Sequence, residues 1–486
     1  MISYPALEGK GSPMLTQNRQ FQWMSIGSYI YPLVPAYAAT LLKENGHEVI
    51  WYDGIAEHLP YEHFLKTVEN ENPDIVVFET KTPVVKLHWS VIKDVKRVRA
   101  ETITILMGDH VTALPEESFM KSEVDFVITG GDYDFTLREL ANTLSGKGVM
   151  PSGVFFREGS IIKNTGPFSL KGDLNTLPFI DRDLTKAHLY FEKWKKREPF
   201  RYTMAGRDCQ WGKCTFCSWT ITYPNFRTRS VKNLLDEIEM LVERYQVKEI
   251  FDDTGNFPAG VWLKKFCEGM IERGLNKEIL FSCNMRFDYL VRSPELLDLM
   301  KKAGFRKVKS GLESANQKTL DRIRKNIKVE DIVKGCRLAN EAGIDVHLTI
   351  MVGYPWETRE DALRTLHLAK ELMTKGYAEM LQSTIVIPYP GTPLYEEARK
   401  NGWIRFENPE AWERYDMTEP VLVTPDMEPE EIMRICSDIY KNFITPRYVI
   451  RHLLRIRSLE DLSYMIRGSR AVIGHILDFA KTRSQI

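Results

Sequence analysis

Arg207-Asp208-Cys209-Gln210-Trp211-Gly212-Lys213-Cys214-Thr215-Phe216-Cys217 places three thiols within nine residues, just after the strand-like run Phe200-Arg-Tyr-Thr-Met204. A loop of this length at a strand end can wrap one small inorganic core, and iron–sulfur clusters are held mainly by cysteine thiolates. A [4Fe–4S] cube takes four ligands, so three thiolates leave one iron open to a small molecule. Structural zinc is the competing reading, but it requires four closed ligands. No second cysteine pair lies nearby, and no histidine falls between His110 and His188 or between His188 and His347. A third reading is three buried cysteines without metal. The other four cysteines (Cys267, Cys283, Cys336, Cys436) are scattered, unlike a secreted disulfide framework.

Downstream of the cysteines, strand-like runs recur at Lys248–Asp252, Ile279–Cys283, Lys307–Gly311, Asp345–Val352 and Leu381–Ile387, with helical stretches between them. The clearest helix starts at Ser293 and Pro294 and stops at Gly304. Six strand–helix units predict a partial (β/α)6 barrel over 199–424, with its chemistry at the C-terminal strand ends.

Upstream, 1–145 alternates helices (35–44, 61–69, 88–99, 134–144) with apolar strands at His47–Asp53, Asp74–Glu79, Thr102–Met107 and Asp125–Thr129. That pattern predicts a doubly wound, Rossmann-like parallel sheet covered on both faces. Its ligand site is expected at the carboxyl ends of the strands, in the loops Glu79–Pro83, Gly108–Pro115 and Thr129–Asp134. Residues 146–198 mix Gly, Pro and charge and read as a linker. Residues 425–486 read as a helical tail that is basic from Lys441 onward, with nine Lys/Arg against three Asp/Glu.

The 486 residues are 43% hydrophobic and 27% charged, with 66 acidic and 66 basic side chains. Bulk charge therefore points to no nucleic-acid partner. No apolar run approaches the ~18 residues needed to cross a bilayer, and the N-terminus lacks a signal-peptide pattern. A cytoplasmic protein is expected.

The cysteine loop resembles that of the radical SAM (S-adenosylmethionine) superfamily, which places three cysteines after the first barrel strand with an aromatic before the last, here Phe216. The first gap is four residues here, where three is common. The resemblance implies that Cys209, Cys214 and Cys217 hold a [4Fe–4S] cluster whose open iron is chelated by SAM. It further implies SAM contacts from Phe216, from Asp252, Asp253 and Thr254 after the second strand, and from Arg286 after the third. Glu313 and Ser314 stand in a Gly-x-Glu-Ser element, and Tyr354 in a Gly-x-Pro-x-Glu-Thr turn. The catalytic residues proper are not named by these motifs.

The N-terminal segments Gly108-Asp-His-Val-Thr-Ala-Leu-Pro115 and Gly130-Gly-Asp-Tyr-Asp-Phe-Thr136 resemble the cobalamin (B12) module of the cobalamin-dependent radical SAM class. Asp stands where Glu is usual in the second. The implied cobalamin-binding residues are Thr80, Gly108, Asp109, His110, Thr112, Gly130 and Gly131. The Asp-x-His-x-x-Gly motif is absent, so no histidine is expected to ligate cobalt. The first strand, starting at Ile2, is expected to be truncated.

The resemblance implies reductive cleavage of SAM to a 5′-deoxyadenosyl radical and methylation of an unactivated carbon. Ring closure or skeletal rearrangement of a large apolar substrate, tetrapyrrole- or lipid-like, is the alternative within the class. A non-catalytic Fe–S protein is the alternative outside it. A methylthiotransferase would carry three more cysteines near its N-terminus, and none precedes Cys209. The implied partners are a small-molecule substrate and an external electron donor such as flavodoxin or ferredoxin. The basic tail reads first as a cap on the barrel and second as a peripheral membrane contact.

Overall fold

The computed structural model describes residues 1–15, 21–24, 27–192, 194–442, 444–456 and 458–470. The part of the basic tail beyond 470 lies outside the described residues.

Two sheets carry the fold, the first parallel except for a terminal hairpin and the second parallel throughout. The first runs through β1 (Ile2–Tyr4), β2 (Trp51–Asp53), β3 (Ile75–Glu79), β4 (Ile103–Met107), β5 (Phe126–Ile128), β6 (Val154–Glu158) and β7 (Ile161–Asn164) in the order β2-β1-β3-β4-β5-β6-β7. Helices Leu33–Glu44 and Tyr133–Leu144 pack together on one face, while Tyr61–Glu71 and Val85–Val98 cover the other. Strands β1 to β5 are buried on both faces, which is why they read as continuous apolar runs rather than alternating ones.

The short β1 is a central strand, not a frayed edge. It pairs in parallel with both β2 and β3, and the amino group of Met1 donates to the Ile75 carbonyl at 2.8 Å. Three residues suffice because they are buried between two neighbours. The hairpin β6–β7 adds two antiparallel strands inside the segment read as a linker, so the first sheet continues to Asn164. Its solvent-facing Ile161 and charged neighbours explain the weak apolar signal there.

The second sheet is β8 (Phe200–Thr203), β9 (Glu249–Asp252), β10 (Leu280–Asn284), β11 (Phe305–Glu313), β12 (Asp345–Val352) and β13 (Met380–Ile385), all parallel and in sequential order. Helices such as Val231–Tyr245, Val261–Glu272, Val329–Glu341 and Arg359–Lys375 form the outer layer of this partial barrel. The last of these opens on a reciprocal cap in which Thr358 and Asp361 bond each other's backbone N–H.

The tail closes the opposite, N-terminal end of the barrel. In helix Pro446–Leu454, His452 lies 3.0 Å and Arg455 2.8 Å from the buried Glu379 carboxylate, and Arg455 also reaches Asp345 at 3.5 Å. Arg451, His452 and Arg455 thus turn toward Glu379, while Val449, Ile450, Leu453 and Leu454 are exposed.

Candidate functional site

At the C-terminal ends of the barrel strands lies a cavity of about 190 Å³ whose wall includes all three thiols, Cys209, Cys214 and Cys217. Their loop is stitched to the barrel. The Asp208 carboxylate accepts from the Gly255 N–H at 2.7 Å, the Thr215 N–H donates to the Ile323 carbonyl, and the Trp211 indole donates to the Arg324 carbonyl at 2.7 Å. The remaining cysteines are buried elsewhere in the core. Among the described residues no three His, Cys, Asp or Glu side chains converge on the geometry of a single metal ion. Three thiols spread around one cavity form a donor set suited to a multi-iron cluster with one position left over. Burial pushes the Cys214 thiol up to about 11, against the opposing charges of Lys325 and Arg286. Bound iron reverses that balance, because a coordinating thiol is deprotonated outright.

Beside the thiols the cavity offers both signs of charge. Asp253, Arg286, Lys309, Glu313 and Lys325 line it, with Phe216, Met285, Met351, Ile387 and Tyr389 as its apolar wall. Glu313 sits at φ 58° and accepts from the Lys325 ammonium at 2.7 Å, both side chains being buried. A non-glycine residue in this left-handed region costs on the order of 1–3 kcal/mol and turns its carboxylate toward the cavity. Arg286 is fixed from behind by Asp288 at 2.9 Å and by the Lys325 carbonyl at 2.7 Å. An amino acid zwitterion would find carboxylates for its ammonium and cations for its carboxylate.

Of the residues assigned to SAM from sequence, Phe216, Asp253, Arg286 and Glu313 line the cavity, while four stand behind it. Asp252 is fully buried, accepting from the Thr203 hydroxyl at 2.9 Å and the Thr254 N–H at 3.2 Å, and burial raises its pKa. Thr254 accepts from the Gly206 N–H, bracing the cysteine loop. Ser314 donates to Glu357 at 2.5 Å, and Tyr354 is fully buried against Met351. The sequence reading missed Lys309, Lys325, Thr349, Gln382 and Tyr389. Lys309 was detectable, since it lies two residues before Gly311 on one face of β11 and both line the cavity.

The first sheet presents its carboxyl ends to the same side of the barrel. Gly108 has φ 128°, and a Cβ there would lie 2.2 Å from the Thr80 carbonyl oxygen, so only glycine permits this crossing. Thr112 ties the loops together, donating to the Gly108 carbonyl and accepting from the Gly130 N–H. Thr80 meets His88 at 2.8 Å, and burial holds that histidine down near pKa 4. Asp109 receives both the Lys81 ammonium and the Ser218 hydroxyl at 3.1 Å, linking the first domain to the residue after Cys217. Both ring nitrogens of the buried His110 are engaged, one with Thr82 at 3.1 Å and the other with Glu117 at 3.0 Å. Gly130 and Gly131 are covered by the rings of Phe168 and Tyr223.

The acidic positions after Gly131 form the domain seam. Arg207, almost fully buried, donates to Asp132 at 2.9 Å and to Asp134 at 2.9 and 2.5 Å, while Arg227 donates to Asp132 at 2.6 Å. The cysteine loop is therefore flanked on both sides, at Arg207 and Ser218, by contacts with the first domain.

The family model for the radical SAM superfamily matches residues 205–369, and that for the B12 binding domain matches residues 24–136. This chain belongs to the radical SAM superfamily, in the group that carries a B12-binding domain ahead of the barrel. It is 28% identical to an uncharacterized methyltransferase of Pyrococcus horikoshii, over 88% of this chain and 91% of that one. It is 26% identical to the anaerobic magnesium-protoporphyrin IX monomethyl ester cyclase of Cereibacter sphaeroides, over 83% of this chain and 64% of the relative. Among solved structures, the cobalamin-dependent SAM radical enzyme OxsB with aqua-cobalamin and SAM bound aligns with a TM-score of 0.69 at 16% identity. That alignment covers 92% of this chain and 69% of OxsB.

Proposed function

We propose that the chain is a cobalamin-dependent radical SAM methyltransferase acting on an unactivated carbon. The observation that carries this reading is the single cavity that joins three thiols to the paired charges of Asp253, Arg286, Glu313 and Lys325 beneath a B12-binding domain. When bound, the cluster and cobalamin supply reductive SAM cleavage and a transferable methyl group. The chain's own part is positional. Cys209, Cys214 and Cys217 hold the cluster as a unit; Asp253 and Glu313 take the SAM ammonium; Arg286, Lys309 and Lys325 take its carboxylate; Phe216 and the methionines keep water from the reacting end.

Thr80, Gly108, Asp109, His110 and Thr112 would hold cobalamin at the seam, with Gly130 and Gly131 shaping the loop beneath their aromatic cover. The residues fit a cobalamin without histidine ligation, because His110 has no ring nitrogen to spare. A second reading, closure of a ring on a tetrapyrrole-like substrate, is favoured by the cyclase relative. We read the tail as the floor of the barrel rather than a membrane anchor, since Arg451, His452 and Arg455 are turned toward Glu379. No helix among the described residues is long and apolar enough to cross a membrane, and we place the protein in the cytoplasm.

Electron paramagnetic resonance of the anaerobically reconstituted, reduced protein tests the reading. A [4Fe–4S]⁺ signal that shifts when SAM is added, together with a cob(II)alamin signal, is expected. Alanine at any one of the three cysteines should remove the cluster signal and 5′-deoxyadenosine formation together. A cluster indifferent to SAM would leave only an electron-transfer or structural role.

A further inference from the structure

The three clustered cysteines suffice for one cluster, and the other four lie buried and scattered, so the chain carries no second iron–sulfur relay. An electron for the cavity must come from outside, through the surface nearest the thiols. That surface is the cysteine loop itself, where Gln210 and Lys213 are exposed and Trp211 is half-buried. The Trp211 ring lies between the Arg286 guanidinium at 5.0 Å and the Lys213 ammonium at 5.2 Å, two residues from Cys209.

Alongside runs the segment 317–330, held to the loop at Ile323 and Arg324, with five basic residues against two acidic ones. Much of this charge is uncompensated. Lys213, Arg324 and Lys328 are exposed and form no ion pair among the described residues, whereas Arg322 is committed to Glu397 at 2.6 Å. A half-buried indole beside the cluster ligands, sharing its rim with the unpaired Lys213, Arg324 and Lys328, is a surface built for a partner of opposite charge.

We propose that this rim, centred on Trp211, is the docking face for a small acidic redox protein carrying a reduced low-potential flavin or iron–sulfur centre. One electron leaves that donor and enters the oxidised cluster through the loop at Trp211 and Cys209, with no bond made or broken. This rests on the cluster assignment above.

The test is a double variant, Lys213→Glu with Arg324→Glu, in the reconstituted holoenzyme with a photoreduced acidic flavodoxin as donor. The rate of cluster reduction is followed by stopped-flow absorbance, and donor binding by calorimetry on the oxidised protein. At low salt we expect reduction about tenfold slower and binding weakened in parallel, with dithionite-driven reduction unchanged. Raising the salt should slow the parent toward the variant. A comparison variant with the same charge change at the exposed Lys277 and Lys370 should behave as the parent. Equal donor rates in parent and double variant, or equal loss in the comparison variant, would overturn the docking face. Failure of dithionite to reduce any cluster in the parent would instead remove the cluster assignment, and the docking face with it.

Discussion

Removing Arg207 should separate the two domains' interests more sharply than any other single change. Its guanidinium is 1% exposed and makes one bond to Asp132 and two to Asp134. In Arg207→Ala, Asp132 keeps Arg227 at 2.6 Å, but Asp134 retains only the backbone N–H of Phe135 at 2.9 Å. Breaking a buried ion pair from one side costs about 3–5 kcal/mol, because a charge is left without compensation. We therefore expect a loss of roughly 4 kcal/mol in the denaturant-induced unfolding of the cofactor-free protein. Adding Asp134→Asn should recover about half of it, since the orphaned charge is then gone.

The sign of the pH dependence follows from the same geometry. Burial already pushes the Asp134 carboxyl upward, and Arg207 is what opposes this. Without Arg207 the folded-state pKa rises further above the unfolded value. The carboxyl then adds stability only at low pH, where it is protonated, and that stability is lost as pH rises through the folded pKa. The variant's deficit should thus be larger at pH 8 than at pH 5. A variant within 1 kcal/mol of the parent at both pH values would refute the claim that this pair holds the seam.

Three further outcomes can be checked independently. Burial depresses Lys307, 2% exposed inside the barrel, to about 8. The unfolded chain then binds more protons between that value and the ordinary lysine range, so stability climbs with pH through this window. Lys307→Met should raise stability at pH 7 by about 3 kcal/mol and abolish the climb in thermal melts; an unchanged slope would count against it. Gly108→Ala must displace the Thr80 carbonyl from a left-handed backbone position, costing about 3 kcal/mol and weakening cobalamin retention on gel filtration. Retention equal to the parent would show that the loop crossing is not what shapes that site. Cobalamin-loaded protein should show a cob(II)alamin spectrum without histidine nitrogen hyperfine splitting, and splitting that disappears in His110→Ala would contradict the bonding described for that ring.

The strands of both sheets were legible because fully buried parallel strands write themselves as apolar runs: β3, β4 and β12 lie within a residue of their expected limits. The hairpin β6–β7 was not, since its exposed residues, Arg157, Glu158, Ile161, Lys163 and Asn164, follow no consistent period. Of the site, the thiols and the acids following strand ends could be read from local motifs. Lys325 could not, because it reaches the cavity from a loop after β11 and differs in no local respect from the surface lysines around it. Asp132 and Asp134 lie in the loop Thr129–Asp134 expected at the ligand site, whereas the arginines that claim them, Arg207 and Arg227, lie more than seventy residues away, a pairing that no local pattern reveals. The inward turn of the basic tail was equally hidden, because the carboxylates that attract it stand at the start of β12 and just before β13.

The cysteine loop's two anchors on the first domain have a consequence for biogenesis. During synthesis the residues that supply Asp109, Asp132 and Asp134 emerge from the ribosome before Arg207 and Ser218, so the loop can meet a finished template as it appears. A barrel produced alone, or grafted behind an unrelated sheet, would expose Arg207 and Ser218 with nothing to grip. Such a chimera should accept iron less faithfully than the full chain, which makes the two sheets a single unit of inheritance rather than interchangeable modules.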